Sequence, residues 1–439
     1  MDAIRDPARG PVRPDERAPA PDLARGFMLL LIALANTPWY LYAAQQAGTV
    51  AHPADGSAVD RVVQFAMLTA VDGRILPMFA LLFGYGLIRL YDRQREAGTR
   101  IKAAAAVVQR RNLWLLVLGF AHAALLFTGD ILAAYGLTGL VLGWLLLRRS
   151  ERAMRVTAAV LVGLSLALLL ILGLSAAAAT LIPAGGGEQA AGSPGFFYDS
   201  FSEPGYFASI GPRILGWLFL LPLTVLMPVI PAMIALGMAI GRLRVLERTE
   251  HYRGLLAWTA AIGIGGAWLC GLPEALVHVG LVDASETVAL SLGGVRQMSG
   301  VLGGPGYVAL FGLVGDALAR RARRGAGVVA VAAVGKRSLS CYLAQSVICA
   351  PLLAAWGLGL GAQLGSATMA LFAVGVWLVT LVGAYGLERA GRRGPAEALM
   401  RRLVYRSPAS TEPAAGVSTA PGADRAGRPS GPGGPPATR

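Results

Sequence analysis

The chain has 439 residues, of which 55% are hydrophobic and only 15% charged, with a net charge of +14 and a mean hydropathy of +0.57. A soluble globular protein is about one quarter charged, whereas here long apolar runs are bounded by arginines. That balance excludes a disulfide scaffold, a disordered regulator and an ordinary cytosolic enzyme, and it leaves a polytopic membrane protein.

In chain order, residues 1–22 are rich in Pro, Arg and Asp and are expected to form a disordered cytoplasmic tail. Arg25 leads directly into the first apolar run with no small-residue cleavage site at its end, so no signal peptide is expected. Crossing a bilayer takes about 20 apolar residues. Spans are predicted at 26–44, 68–90, 112–128, 130–147, 156–181, 214–240, 255–279, 299–319, 334–354 and 366–387, with an interfacial helix at 57–67. The tail at 407–439 is Pro, Gly, Ala and Ser, too polar to fold. The predicted fold is therefore all-α, a helix bundle of about ten transmembrane helices in one domain, residues 23–406.

The basic residues set the orientation. Of 39 Lys and Arg, 35 fall on one side of this span map and 3 (Arg61, Arg213, Arg296) on the other, with Arg74 inside a span. The positive-inside rule then puts both termini in the cytoplasm of a multi-pass cell-membrane protein. The charge is thereby accounted for as topology, so the lipid bilayer is the expected partner and nucleic acid is not. Cys270, Cys341 and Cys349 all lie in apolar runs, an odd and unpaired set that reads as packing.

Ionisable residues inside spans cost about 2.5–3.5 kcal/mol each on insertion scales and so need a reason. His122 ends the run Gly119-Phe-Ala-His122, and Thr128-Gly129-Asp130 is short enough to make spans three and four a hairpin. Folding about that turn sets Tyr135 level with His122 and puts Asp130 higher, at the rim. A histidine there suits a general base oriented by Tyr135 or a carboxylate; the plainer reading is one hydrogen bond to a neighbouring helix. Arg74 either holds an acidic group, with Asp130 or Glu274 as internal alternatives, or snorkels outward. Glu274 and His278 share a helix face and read as a hydrogen-bonded pair lining a cavity. With four histidines in the chain, no metal is expected. Pro38 should break span one and free Asn36 for backbone or ligand. Tyr342, Gln345 and Ser346 share a face of span nine, a stripe that is usually helix–helix glue.

Several segments together resemble a known family. They are Leu23-Ala-Arg25-Gly26, Asn36, Phe79-Ala-Leu-Leu-Phe83-Gly84, Arg110-Arg111, and Gly119-Phe-Ala-His122 through Gly129-Asp130-Ile-Leu132. Later come Val334-Gly335 through Tyr342-Leu-Ala-Gln345-Ser346, and Gly394-Pro395-Ala-Glu397. Over residues 22–406 this resembles the YeiB-like bacterial membrane proteins (domain of unknown function 418). The family pattern has Thr-Asn where this chain has Ser340-Cys341, and Trp near Ala398 and Met400.

That family is similar to a wider group of membrane acyltransferases. The resemblance implies passage of an acetyl or other acyl group from cytoplasmic acyl-CoA, a co-substrate rather than a tightly bound cofactor, to an outward-facing small molecule or envelope glycan. His122 would then be the base, with Asp130 and Tyr135 beside it, and Arg74 and Asn36 would bind the acceptor or polarise the thioester. Glu274, His278, Tyr342 and Gln345 would line the substrate site. Arg320, Arg321, Arg323 and Arg324 would hold coenzyme A phosphates, although they also suffice as topology signals. The alternatives are a transporter or export partner for an envelope metabolite, with broken helices in paired positions, and a scaffold without turnover.

Overall fold

The computed structural model describes residues 19–44, 50–181, 196–320 and 325–405. Every regular element in them is helical. The elements are α1 Pro19–Asn36, α2 Ala58–Ala70, α3 Ile75–Glu96, α4 Ile101–Leu125, α5 Leu132–Leu146, α6 Glu151–Ala179, α7 Phe196–Ser202 and α8 Ile210–Leu226. They continue as α9 Val229–Arg242, α10 Arg253–His278, α11 Glu286–Met298, α12 Gly300–Ala319, α13 Ala326–Lys336, α14 Ser338–Leu353, α15 Ser366–Arg389 and α16 Pro395–Tyr405.

Helices lie over all ten predicted segments. By length and apolarity, five helical stretches qualify to cross a membrane, or seven if each of two bent pairs is one span. The exposed face of α6 shows the membrane character: Val160, Leu164, Leu170, Ile171 and Leu174 are each more than half exposed. A water-soluble chain does not present such a continuous apolar face.

Local chemistry sets the breaks. The α1 helix gives way at Asn36 to a 3-10 turn, Thr37–Tyr40, where Pro38 lacks the N–H that an α-helix would use. Ser57 caps α2 in a reciprocal box with Asp60. The predicted sixth span is two helices, α8 and α9, bent by 53° around Met227 and Pro228. The predicted ninth span is α14, preceded across Arg337 by α13 at a bend of 87°. Two boundaries depart from expectation. The first helix begins at Pro19, inside the predicted tail, and α11 forms in a stretch outside every predicted span. Residues 1–18, 182–195 and 407–439, which include the rest of both predicted tails, lie outside the described residues.

Packing runs through α3 and α9. A Cβ on Gly84 would sit 2.1 Å from the Ile234 carbonyl oxygen, and one on Gly237 would sit 2.0 Å from that of Leu81. Only glycine permits this reciprocal approach, the way membrane helices gain contact where lipid gives no hydrophobic drive. On another face Glu397 of α16 accepts from the backbone N–H groups of Leu339 and Ser340 at 2.9 and 3.2 Å, and Ser340 Oγ accepts from Ala396 N–H at 3.0 Å. Each helix start thus caps the other. Serine in place of threonine at 340 keeps the required hydroxyl.

Candidate functional site

The α4–α5 hairpin presents a buried acid–base pair. His122 lies in the last turn of α4, and Asp130 sits in the turn before α5. Asp130 Oδ2 accepts from the Ala133 N–H at 2.8 Å, which caps α5, and Oδ1 lies 2.8 Å from His122 Nδ1. One short carboxylate therefore both starts a helix and fixes an imidazole. Space for it comes from Gly119, where a Cβ would stand 2.4 Å from Asp130 Oδ2. The His122 and Asp130 side chains are 1% and 0% exposed, so Asp130 is enclosed rather than at the rim where the hairpin geometry had put it.

The other ring nitrogen of His122 meets α14. Its Nε2 is 2.8 Å from Ser346 Oγ. With the proton on Nδ1, the ring donates to the Asp130 carboxylate and leaves Nε2 to accept from the serine hydroxyl. The result is a continuous hydrogen-bonded chain, Asp130–His122–Ser346. The Tyr342 ring packs 5.1 Å from the imidazole.

Ser346 opens onto a cavity of about 20 Å³, also lined by Asn36, Thr37, Tyr40, Tyr342 and Gln345. Such a space holds about one water. Gln345 donates to the Leu29 carbonyl at 3.1 Å, tying α14 to α1. The Thr37 and Tyr40 hydroxyls are buried and have no hydrogen-bond partner among the described residues.

The remaining predicted site residues go elsewhere. Tyr135 does not orient His122: its hydroxyl donates to the Leu76 carbonyl at 2.8 Å, and its ring stacks on Phe79 and Phe83. Arg74 neither snorkels nor meets a carboxylate. Fully buried, it donates to the carbonyls of Leu68 at 3.0 Å, Ala267 at 2.5 Å and Asp72. Those of Leu68 and Asp72 stand in the last turn of α2 and in the turn after it, where a helix end leaves carbonyls unbonded. Glu274 is not bonded to His278. It accepts from Arg296 at 2.5 Å, while His278 lies beside His52, ring centres 6.4 Å apart.

Of the basic cluster, Arg321, Arg323 and Arg324 lie outside the described residues; Arg320 is exposed and pairs with Asp316, which also accepts from Arg253. Glu247, Glu250 and Asp316 line the surface depression beside it, a mixed charge environment for a phosphate.

Two residues escaped the reading of the sequence. Ser346 shares the Tyr342–Gln345 face that spacing alone assigns to helix–helix glue, and its hydroxyl on that face is the available signal. Arg213, counted with an outer loop, lies in α8 and is 1% exposed. Its backbone carbonyl accepts from Thr128 Oγ1 at 2.8 Å, which pins α8 to the hairpin turn.

Comparison with known proteins finds a matching family and relatives within it. The family described as "Protein of unknown function (DUF418)" matches residues 240–407. "Uncharacterized protein YeiB" of Escherichia coli (strain K12) is 30% identical over 349 residues, covering 76% of this chain and 82% of the relative. "Uncharacterized protein YxaH" of Bacillus subtilis (strain 168) is 25% identical over 420 residues, 90% of this chain and 96% of the relative.

Proposed function

The chain belongs to the YeiB-like DUF418 family, and from that membership we propose that it is an integral membrane acyltransferase, passing an acyl group from cytoplasmic acyl-CoA to an outward-facing hydroxyl or amine. One observation carries this reading: His122 is held by Asp130 through Nδ1, and its Nε2 meets a hydroxyl at the edge of a cavity. A base so held can take the proton of a nucleophile as it attacks a thioester carbonyl, a contribution of typically 10²–10⁴-fold. Asp130 keeps the productive tautomer and stabilises the imidazolium as it forms. Asn36 lines the cavity, which would have to widen to admit an acceptor or acyl group.

The topology that serves this chemistry has ten spans with both termini in the cytoplasm of the cell membrane. Its support is the 35 to 3 division of basic residues and the helices that lie over every predicted segment. The α4–α5 turn then faces outward, toward the acceptor, and the C-terminal end of α12 at Arg320 lies on the donor side.

A transporter is the second reading, favoured by the two bent helix pairs, α8–α9 and α13–α14. Sealed inside-out vesicles containing the full chain separate the two. Acetyl-CoA supplied to the cytoplasmic face should release thiol, and His122→Gln should abolish that release at unchanged protein abundance. Solute flux indifferent to coenzyme A, with no thiol released, would end the enzyme reading.

A further inference from the structure

We propose that Ser346 is the nucleophile and that the acyl group rests on it as an ester between donor and acceptor. This deepens the acyltransferase reading and rests on it for the donor class. Three features lead there. Ser346 Oγ already occupies the position at His122 Nε2, 2.8 Å away, that an attacking hydroxyl must take. Thr37 and Tyr40, whose buried hydroxyls have no hydrogen-bond partner among the described residues, line the same cavity, and an unengaged hydroxyl donor suits a developing oxyanion. The cavity is also small, about 20 Å³. It holds about one water as it stands, so it must widen even for one substrate, and a covalent intermediate lets each visit in turn.

The steps balance without any further reactant. Ser346 Oγ attacks the acyl carbonyl carbon while its proton passes to His122 Nε2. Collapse of the tetrahedral adduct breaks the C–S bond, and the thiolate leaves with the proton from His122 as free thiol. An acceptor hydroxyl then gives its proton to Nε2 and attacks the ester. The acyl group departs on the acceptor, and the proton returns to Ser346 Oγ. This is the relay logic of serine acyl transfer, set between three helical elements of a membrane bundle.

The test uses purified full-length chain with two probes. With radiolabelled acetyl-CoA and no acceptor, at most one thiol per chain should be released in a burst. The label should be hydroxylamine-labile and should map to the peptide holding Ser346. A fluorophosphonate, which needs an activated serine but no knowledge of the donor, should label the same residue. Ser346→Ala should lose both labels, and His122→Gln should slow both by about 10²–10⁴-fold, the range for removing a general base. Ser346→Cys serves as the folding control and should take acetyl as a thioester. Turnover retained by Ser346→Ala would overturn the proposal and leave direct transfer, with the acyltransferase reading intact. Fluorophosphonate labelling of Ser346 without thiol release would keep the nucleophile and reject the donor. Absence of both labels from the wild-type chain would overturn the proposal outright.

Discussion

Two buried polar clusters lie within this bundle, and they differ in where their hydrogen bonds end. Around Arg74, the guanidinium is committed to backbone carbonyls of α2, α10 and the turn between α2 and α3, and Arg296 is committed to Glu274. Around His122, donation runs from a hydroxyl at a cavity through the imidazole to a carboxylate that also caps α5. Both clusters cost free energy to bury. In the first, the charges close on the protein itself and join its elements. The second stops at a space where another molecule can continue it, which is why the proposed proton transfer is placed there.

The largest effect should come from the middle of the open chain. His122→Gln keeps a hydrogen-bonding side chain of similar size but cannot shuttle the proton, and turnover should fall by about 10²–10⁴-fold with normal insertion and abundance. Asp130→Asn should approach that loss, because the carboxylate is enclosed against Nδ1 and an amide there can impose the wrong tautomer. Acyl release from acetyl-CoA measured per folded chain reads both. A His122→Gln protein with near-native turnover would erase the difference between the clusters.

In the closed cluster the effect should move from rate to stability. Glu274→Gln leaves the buried Arg296 without its carboxylate, a change that costs about 3–5 kcal/mol where an ion pair is cut on one side. Thermal unfolding in detergent should fall accordingly, while turnover per folded molecule stays near wild type. Replacing both partners, Glu274→Leu with Arg296→Met, should recover much of the loss, since a well-packed apolar pair is often no worse than the ion pair it replaces. A stable Glu274→Gln protein with collapsed turnover would place this cluster in the chemistry instead.

What the sequence reveals and what it conceals divides along the range of the interaction. Pro38, the hairpin turn at 128–130 and the ten apolar segments were legible because helix breaks, tight turns and hydropathy are local. A carboxylate partner for His122 was also within reach, eight residues away. Ser346 is 224 residues away from His122, and no periodicity joins residues that distant. Local spacing also misled. Glu274 and His278 stand four apart on one helix, yet the carboxylate takes Arg296 from α11, because a guanidinium carries a permanent charge and more donors than an imidazole. Arg213 shows the same limit, for a count of basic residues assigns a side of the membrane but not the burial of a side chain.

The smallest predicted effect is the sharpest check on the boundary of the open chain. Tyr135 was expected beside His122, and its side chain stacks on Phe79 and Phe83 with the hydroxyl bonded to the Leu76 carbonyl. The ring therefore packs α5 against α3, and the hydroxyl adds one neutral hydrogen bond to a carbonyl of the first turn of α3. Tyr135→Phe keeps the ring and removes only that bond, so stability should drop by about 0.5–1.5 kcal/mol, the usual net worth of such a bond. Turnover should change by less than the roughly tenfold that 1.4 kcal/mol would represent in a rate, and the pH profile should stay that of the wild type. If Tyr135→Phe instead loses activity on the scale of His122→Gln while remaining folded, the hydroxyl must swing into the relay during turnover. The chain of proton carriers would then extend into α5, and Leu76 would mark only its resting position.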